Sequence, residues 1–240
     1  MIIIDSYNKI AFKELNNWKK KMRKKPSLAQ KTSKNIQNKF NELLPERYHE
    51  FVTSAIKNMT KVALFGSKYV TKAPYINLSL QEREKLVAQK SKTYKTTALV
   101  EGVGTGAGGI MLGLADLPLL LSIKIKLLYD IATIYGFDVN DYKERIYILY
   151  IFQLAFSSKS NVNKVFAKIE DFENFFNTLP KDINSFDWRA FQQEYRDYID
   201  LAKLLQMVPG IGAFVGAYVN TKLINKLSET AVQAYRMRLF

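Results

Sequence analysis

The sequence has no cysteine and a single histidine, His49. Without thiols there is neither a disulfide framework nor a thiolate metal site, which suits a reducing compartment. With one imidazole only carboxylate-rich metal sites are left, and a Ser-His-Asp triad would have to use His49. That residue lies on the polar side of its helix beside Glu50 and reads as a solvated surface group. There is no Gly-x-Ser-x-Gly elbow and no Gly-x-x-x-x-Gly-Lys-Ser/Thr loop. No alternating stretch of five or more residues reads as a strand. The opening MIIIDSYNKI has no basic region leading into a long apolar run, so no secretory leader is expected there. Neither a cofactor nor a metal is expected.

What is present is apolar surface and an uneven charge. Of 240 residues, 48% are hydrophobic and 13% aromatic, enough to bury a sizeable core. The formal charge is +14. Residues 1–95 hold 21 Lys and Arg against seven Asp and Glu, whereas residues 96–240 hold 15 of each. A basic N-terminal region, 1–95, thus precedes a charge-balanced core, 96–240, within what reads as one continuous domain. Basic patches seek phosphates, on lipid headgroups or on nucleic acid. Neither a helix-turn-helix nor an aromatic sheet platform favours nucleic acid.

Helical periodicity runs through the chain. Residues 6–25 place Tyr7, Ala11, Leu15, Trp18 and Met22 on one stripe, and Pro26 stops the helix. A second helix starts at Pro45 and ends at Phe65 before Gly66, with the stripe Tyr48, Val52, Ala55, Met59 and Val62. Ser79-Leu80-Gln81-Glu82 is a capping box. Asp116 can cap a helix reaching Tyr135 and closed by Gly136. Asp141 and Glu144 form a capping-box-like start for a helix to about Phe156, apolar all round from Ile146 except Gln153 and so expected to be buried. Residues 162–178 carry Val165, Ile169, Phe172 and Phe176 as one stripe, and Ser185 opens a further helix with Trp188, Phe191 and Tyr195. The fold class is all-α, a multi-helix bundle.

Two glycine-rich segments interrupt this texture. One follows Glu101 and places Gly102 with Gly106, Gly104 with Gly108 and Gly109 with Gly113 at four-residue spacing; the other, residues 204–221, repeats it with Gly212 and Gly216. Small residues at that spacing let two helix backbones approach closely. Each interior glycine costs roughly 1 kcal/mol relative to alanine, so six in the first segment call for a compensating contact or ligand. The second stretch has 18 uncharged residues, close to the ~20 that cross a bilayer, but Pro209-Gly210 breaks it. Together with a mean hydropathy of −0.15, this favours close packing or shallow insertion over spanning. Gly104-x-Gly106-x-x-Gly109 matches the dinucleotide fingerprint formally but follows a helix rather than a strand.

Several phrases recur in order: Glu101-Gly102 through Gly109, Leu114-Ala115-Asp116-Leu117-Pro118, Tyr135-Gly136-Phe137-Asp138, and Pro209-Gly210-Ile211-Gly212 through Gly216 and Asn220. With Leu44-Pro45-Glu46-Arg47-Tyr48-His49 near the start, they resemble the EcsC family of bacterial proteins over nearly the whole chain. The resemblance implies a bacterial cytoplasmic protein at the inner face of the membrane, with a link to an ABC transporter component. It implies no catalytic residue; Glu101, Asp116, Pro118 and Asn220 are the motif positions it carries over.

The functional expectation is a non-catalytic, peripheral membrane-associated protein binding an anionic membrane surface or a lipid-like ligand. Its surface would be Trp18, Lys19, Lys20, Lys21, Arg23, Lys24 and Lys25, an amphipathic basic run suited to anionic lipid. The ligand or structural motif would be Glu101, Gly102, Gly106, Gly109, Asp116, Pro118 and Asn220. The alternative is a hydrolase or metal-dependent enzyme acting on a lipid or envelope precursor through Glu101 and Asp116. On one helix these would stand roughly 22 Å apart, so a pair requires the chain to fold back.

Overall fold

The computed structural model describes residues 6–25, 46–65, 73–104, 117–158, 160–180, 185 and 213–240. Among them are eight helices and no β-strand: α1 Ser6–Arg23, α2 Glu46–Phe65, α3 Leu80–Gly104, α4 Leu117–Ile134, α5 Tyr142–Phe156, α6 Val162–Glu170, α7 Phe172–Asn177 and α8 Ala213–Leu239. The architecture is all-α.

Hydropathy sets the centre. From Ile146 to Phe156 every residue of α5 is buried, as a helix without a polar face must be. It packs against α2, α4, α6 and α8. The outer helices bury one stripe each, Ala11, Leu15 and Trp18 on α1 and Val165, Phe166 and Ile169 on α6. Trp18 meets Phe166 edge-on, ring centroids 5.4 Å apart.

Local sequence fixes the helix ends. At the start of α3 the Ser79 backbone N–H donates to the Glu82 carboxylate over 2.8 Å, and the Glu82 N–H donates back to the Ser79 hydroxyl over 3.3 Å. At the end of α4, Gly136 takes φ of +92°. Its N–H donates to the Thr133 carbonyl, and the Phe137 N–H to that of Ala132. The Arg83 guanidinium covers this turn, donating from Nη1 to the Ile134 carbonyl at 2.5 Å and to that of Tyr75 at 3.1 Å. A Cβ on Gly136 would stand 3.1 Å from Arg83 Nη1 and 3.2 Å from the Tyr75 oxygen, so a side chain there would push its neighbours aside by a few tenths of an ångström on top of the strain of the positive φ. Two side chains receive the end of α2: Tyr129 donates to the Ala63 carbonyl and Arg145 to that of Leu64.

α3 and α8 make the most extensive helix pair. Midway along it the Ser91 hydroxyl donates to that of Ser228 over 2.8 Å in a buried setting. The change in charge balance at residue 95 falls inside α3, which runs unbroken from Leu80 to Gly104.

Two expectations need correcting. Residues 162–178 form two helices, because the chain turns at Asp171 (φ −117°, ψ 52°), with Phe172 on the far side packed 4.6 Å from Tyr147. Glu144 is not a reciprocal cap for α5: Asp141 accepts the Lys143 N–H, while Glu144 is buried against α8. The helix expected beyond Ser185 lies outside the described residues. Of the second glycine-rich stretch, residues 213–221 open α8 and the rest lie outside. Among the described residues no helix is long and apolar enough to cross a membrane.

Candidate functional site

The site is built on α1, whose two sides differ sharply. Ala11, Leu15 and Trp18 face the bundle; Lys20, Lys21, Arg23, Lys24 and Lys25 are exposed. Two members of this basic run are engaged. Lys19 stands 3.0 Å from Glu170, and Arg23 holds the same carboxylate through Nε at 3.0 Å and Nη2 at 2.6 Å. Burial opposes ionisation of Glu170, but the hydrogen bonds from Arg23 and Lys19 outweigh it and hold the carboxyl below its ordinary range. Lys20, Lys21, Lys24 and Lys25 have no acidic partner among the described residues.

The same holds for Lys9 and Lys13, both exposed. At 100° per residue Lys9, Lys13 and Lys20 fall within about 40° of one another on the helix, so they form a cationic stripe opposite the buried one. Sequence reading missed Lys9 and Lys13 because it followed the contiguous run; their spacings of four and seven to Lys20 were the available signal. Trp18, grouped there with the surface lysines, is in the core against Phe166 and is not part of the outward face.

A polar cluster fixes α1 to the bundle. Arg236 of α8, only 4% exposed, grips Glu84 of α3 through Nε at 2.6 Å and Nη2 at 2.7 Å. Its Nη1 reaches Glu14 of α1 at 2.8 Å. The Tyr7 hydroxyl donates to Glu84 at 2.6 Å and that of Tyr135 at 3.1 Å. Desolvation works against the Arg236 cation, yet its bonds to Glu84 and Glu14 raise its pKa above the ordinary guanidinium value. A second cluster follows on α8. Buried Glu144 accepts from the Tyr235 hydroxyl at 2.6 Å and from Arg238 at 2.5 Å. The Arg238 guanidinium lies 3.7 Å from the centre of the Phe137 ring. Burial pushes the Glu144 carboxyl up despite the opposing pull of Arg238.

These carboxylates are committed to arginine and tyrosine donors, so the clusters act as clamps between helices. Among the described residues no group of three or more His, Asp or Glu side chains is placed to hold a metal. Glu101 and Gly102 fall in the last turn of α3, with the Glu101 side chain outside what is described. Pro118, half-buried, is the second residue of α4. Asn220 lies in α8, its side chain likewise outside the description. Gly106, Gly109 and Asp116 lie outside the described residues altogether.

No solved structure matches the chain. The EcsC protein of Bacillus subtilis (strain 168) is 45% identical, over 97% of this chain and 96% of that protein. An uncharacterised protein of the same organism, YdbA, is 25% identical over 94% and 90% respectively. The model of the EcsC protein family matches residues 9–240, spanning every helix described but the first three residues of α1. The chain belongs to the EcsC family.

Proposed function

We propose that this protein is a peripheral membrane protein that docks on anionic lipid headgroups through the outward face of α1. The observation that carries the reading is the set Lys9, Lys13, Lys20, Lys21, Lys24 and Lys25, without acidic partners among the described residues. Lys9, Lys13 and Lys20 share the outward face of α1, Lys21 sits towards its Glu14 edge, and Lys24 and Lys25 follow its last residue. The helix is held on its other side by Arg236 and the Trp18 stripe. A fixed helix spends little conformational entropy on binding, unlike a basic tail. Each basic residue near an anionic surface contributes on the order of 1 kcal/mol, so three within reach give roughly a hundredfold in affinity. Under this reading the working location is the inner face of the cell membrane, where anionic headgroups are abundant.

The test is flotation with phosphatidylcholine vesicles, with and without phosphatidylglycerol, at low and high salt. Binding should require the anionic lipid and weaken steeply with salt. The combined variant Lys20→Glu, Lys21→Glu, Lys24→Glu and Lys25→Glu should lose at least about a hundredfold. Equal binding of neutral vesicles, an unaffected variant, or a preference for duplex DNA over vesicles would overturn the proposal. In those cases a protein partner or nucleic acid takes its place, with an ABC transporter component the first partner to try.

A further inference from the structure

The lysine stripe does not account for what lies beside it. Phe12 of α1 is 49% exposed, and Leu239 and Phe240 at the end of α8 are 45% and 51% exposed. Phe12 and Phe240 touch edge to face, ring centroids 5.4 Å apart. Single exposed apolar residues are ordinary on protein surfaces, but large ones gathered in one place mark a contact site. On α1, Phe12 is flanked by Lys13 at the next position and Lys9 three residues before, both exposed and without acidic partners among the described residues.

We infer that Phe12, Leu239 and Phe240 form an apolar wedge that enters the acyl boundary of an anionic bilayer while Lys9 and Lys13 engage its headgroups. The inference rests on the docking reading above and gives it depth and orientation: the end of the bundle where α1 and α8 meet points into the lipid. Aromatic rings beside lysines suit that boundary, since each ring has hydrocarbon to enter and each ammonium a phosphate at the same level. Charge complementarity selects lipid over a second copy of the chain, because apposing two such faces would bring Lys9 and Lys13 against their equivalents. Screening weakens the lysine contribution but leaves apolar insertion intact, so the wedge supplies the salt-resistant part of binding.

Two variants test this on the full chain. The first joins Phe12→Ser with Phe240→Ser; the second is Phe12→Trp, which keeps the aromatic volume and reports depth through quenching by brominated acyl chains. With phosphatidylglycerol vesicles the serine variant should still bind at low salt. It should lose at least about tenfold of the binding that the wild type keeps at high salt, the loss expected from withdrawing one or two rings from hydrocarbon. The tryptophan should be quenched by bromines near the glycerol end of the chains, above a Phe12 control that carries the native tryptophans. Binding at low salt with no quenching and no effect of the serine variant would overturn the wedge and leave electrostatic docking standing. Absence of binding to any anionic vesicle would overturn both. A vesicle-free dimer that the serine variant converts to monomer, with helix content unchanged, would assign the patch to self-association and overturn the wedge.

Discussion

Arg236 and Glu84 meet through two parallel hydrogen bonds of 2.6 and 2.7 Å, joining the last helix to the third beneath the first. Tyr7 and Tyr135 complete the carboxylate's shell, so the pair is stable only as a unit. Glu84→Ala should cost about 3–5 kcal/mol, because it leaves a buried guanidinium with only the half-exposed Glu14 carboxylate and the Ala11 carbonyl among the described residues. Glu84→Leu combined with Arg236→Met should cost less than Glu84→Ala. Urea titrations followed by ellipticity measure both.

Glu170 restrains two basic side chains that would otherwise join the outward face. Glu170→Gln removes the partner of Lys19 and Arg23. For a partly exposed cluster the stability cost should stay below about 1 kcal/mol. Affinity for phosphatidylglycerol vesicles should rise roughly threefold to thirtyfold, as two more cations become available to the surface. Flotation at fixed salt reads the change, and a fall in affinity would contradict the role given to α1.

High pH should release the bundle through its phenols. Burial pushes the Tyr129 hydroxyl up to about 12, against a weaker opposing pull from Arg145. An unfolded tyrosine titrates near 10. Between those values the unfolded chain gives up a proton that the folded chain keeps, so stability is full below about pH 10 and falls as pH rises towards 12. Tyr7 adds the same trend, raised to about 12 by burial and its bond to Glu84. Tyr129→Phe should cost about 1–3 kcal/mol at neutral pH, since the Ala63 carbonyl loses its donor. The same variant should lose stability less steeply above pH 10, measured by thermal melts across that range.

The sequence made legible what is decided within one or two helical turns. Ser79 with Glu82 and Gly136 as a stop are local chemistry and stand as expected. Glu144 shows the limit: its spacing from Asp141 mimics a cap, but Tyr235 and Arg238, some 90 residues later, claim its carboxylate. The stripe Val165, Ile169, Phe172 and Phe176 keeps its spacing across Asp171, so periodicity alone does not register the turn there. Within the candidate surface, the cationic run was readable, whereas its partition was not. Glu170 is 147 positions from Arg23, and nothing in the run itself separates engaged from free lysines. The aromatic wedge was equally hidden, since Phe12 and Phe240 become neighbours only when α1 and α8 pack together.

Arg236 and Glu14 touch across 222 positions, and among the described residues the helices in extensive contact with α1 are α3, α6 and α8. During synthesis α1 is therefore made before the helices it packs on and seated only after them, because its dock is incomplete until α8 has emerged. In that interval a cationic amphipathic segment with its tryptophan uncovered trails from an unfinished protein. Refolding watched by pulsed hydrogen exchange should register this as late protection at Leu15 and Trp18, after the amides of α5 have closed.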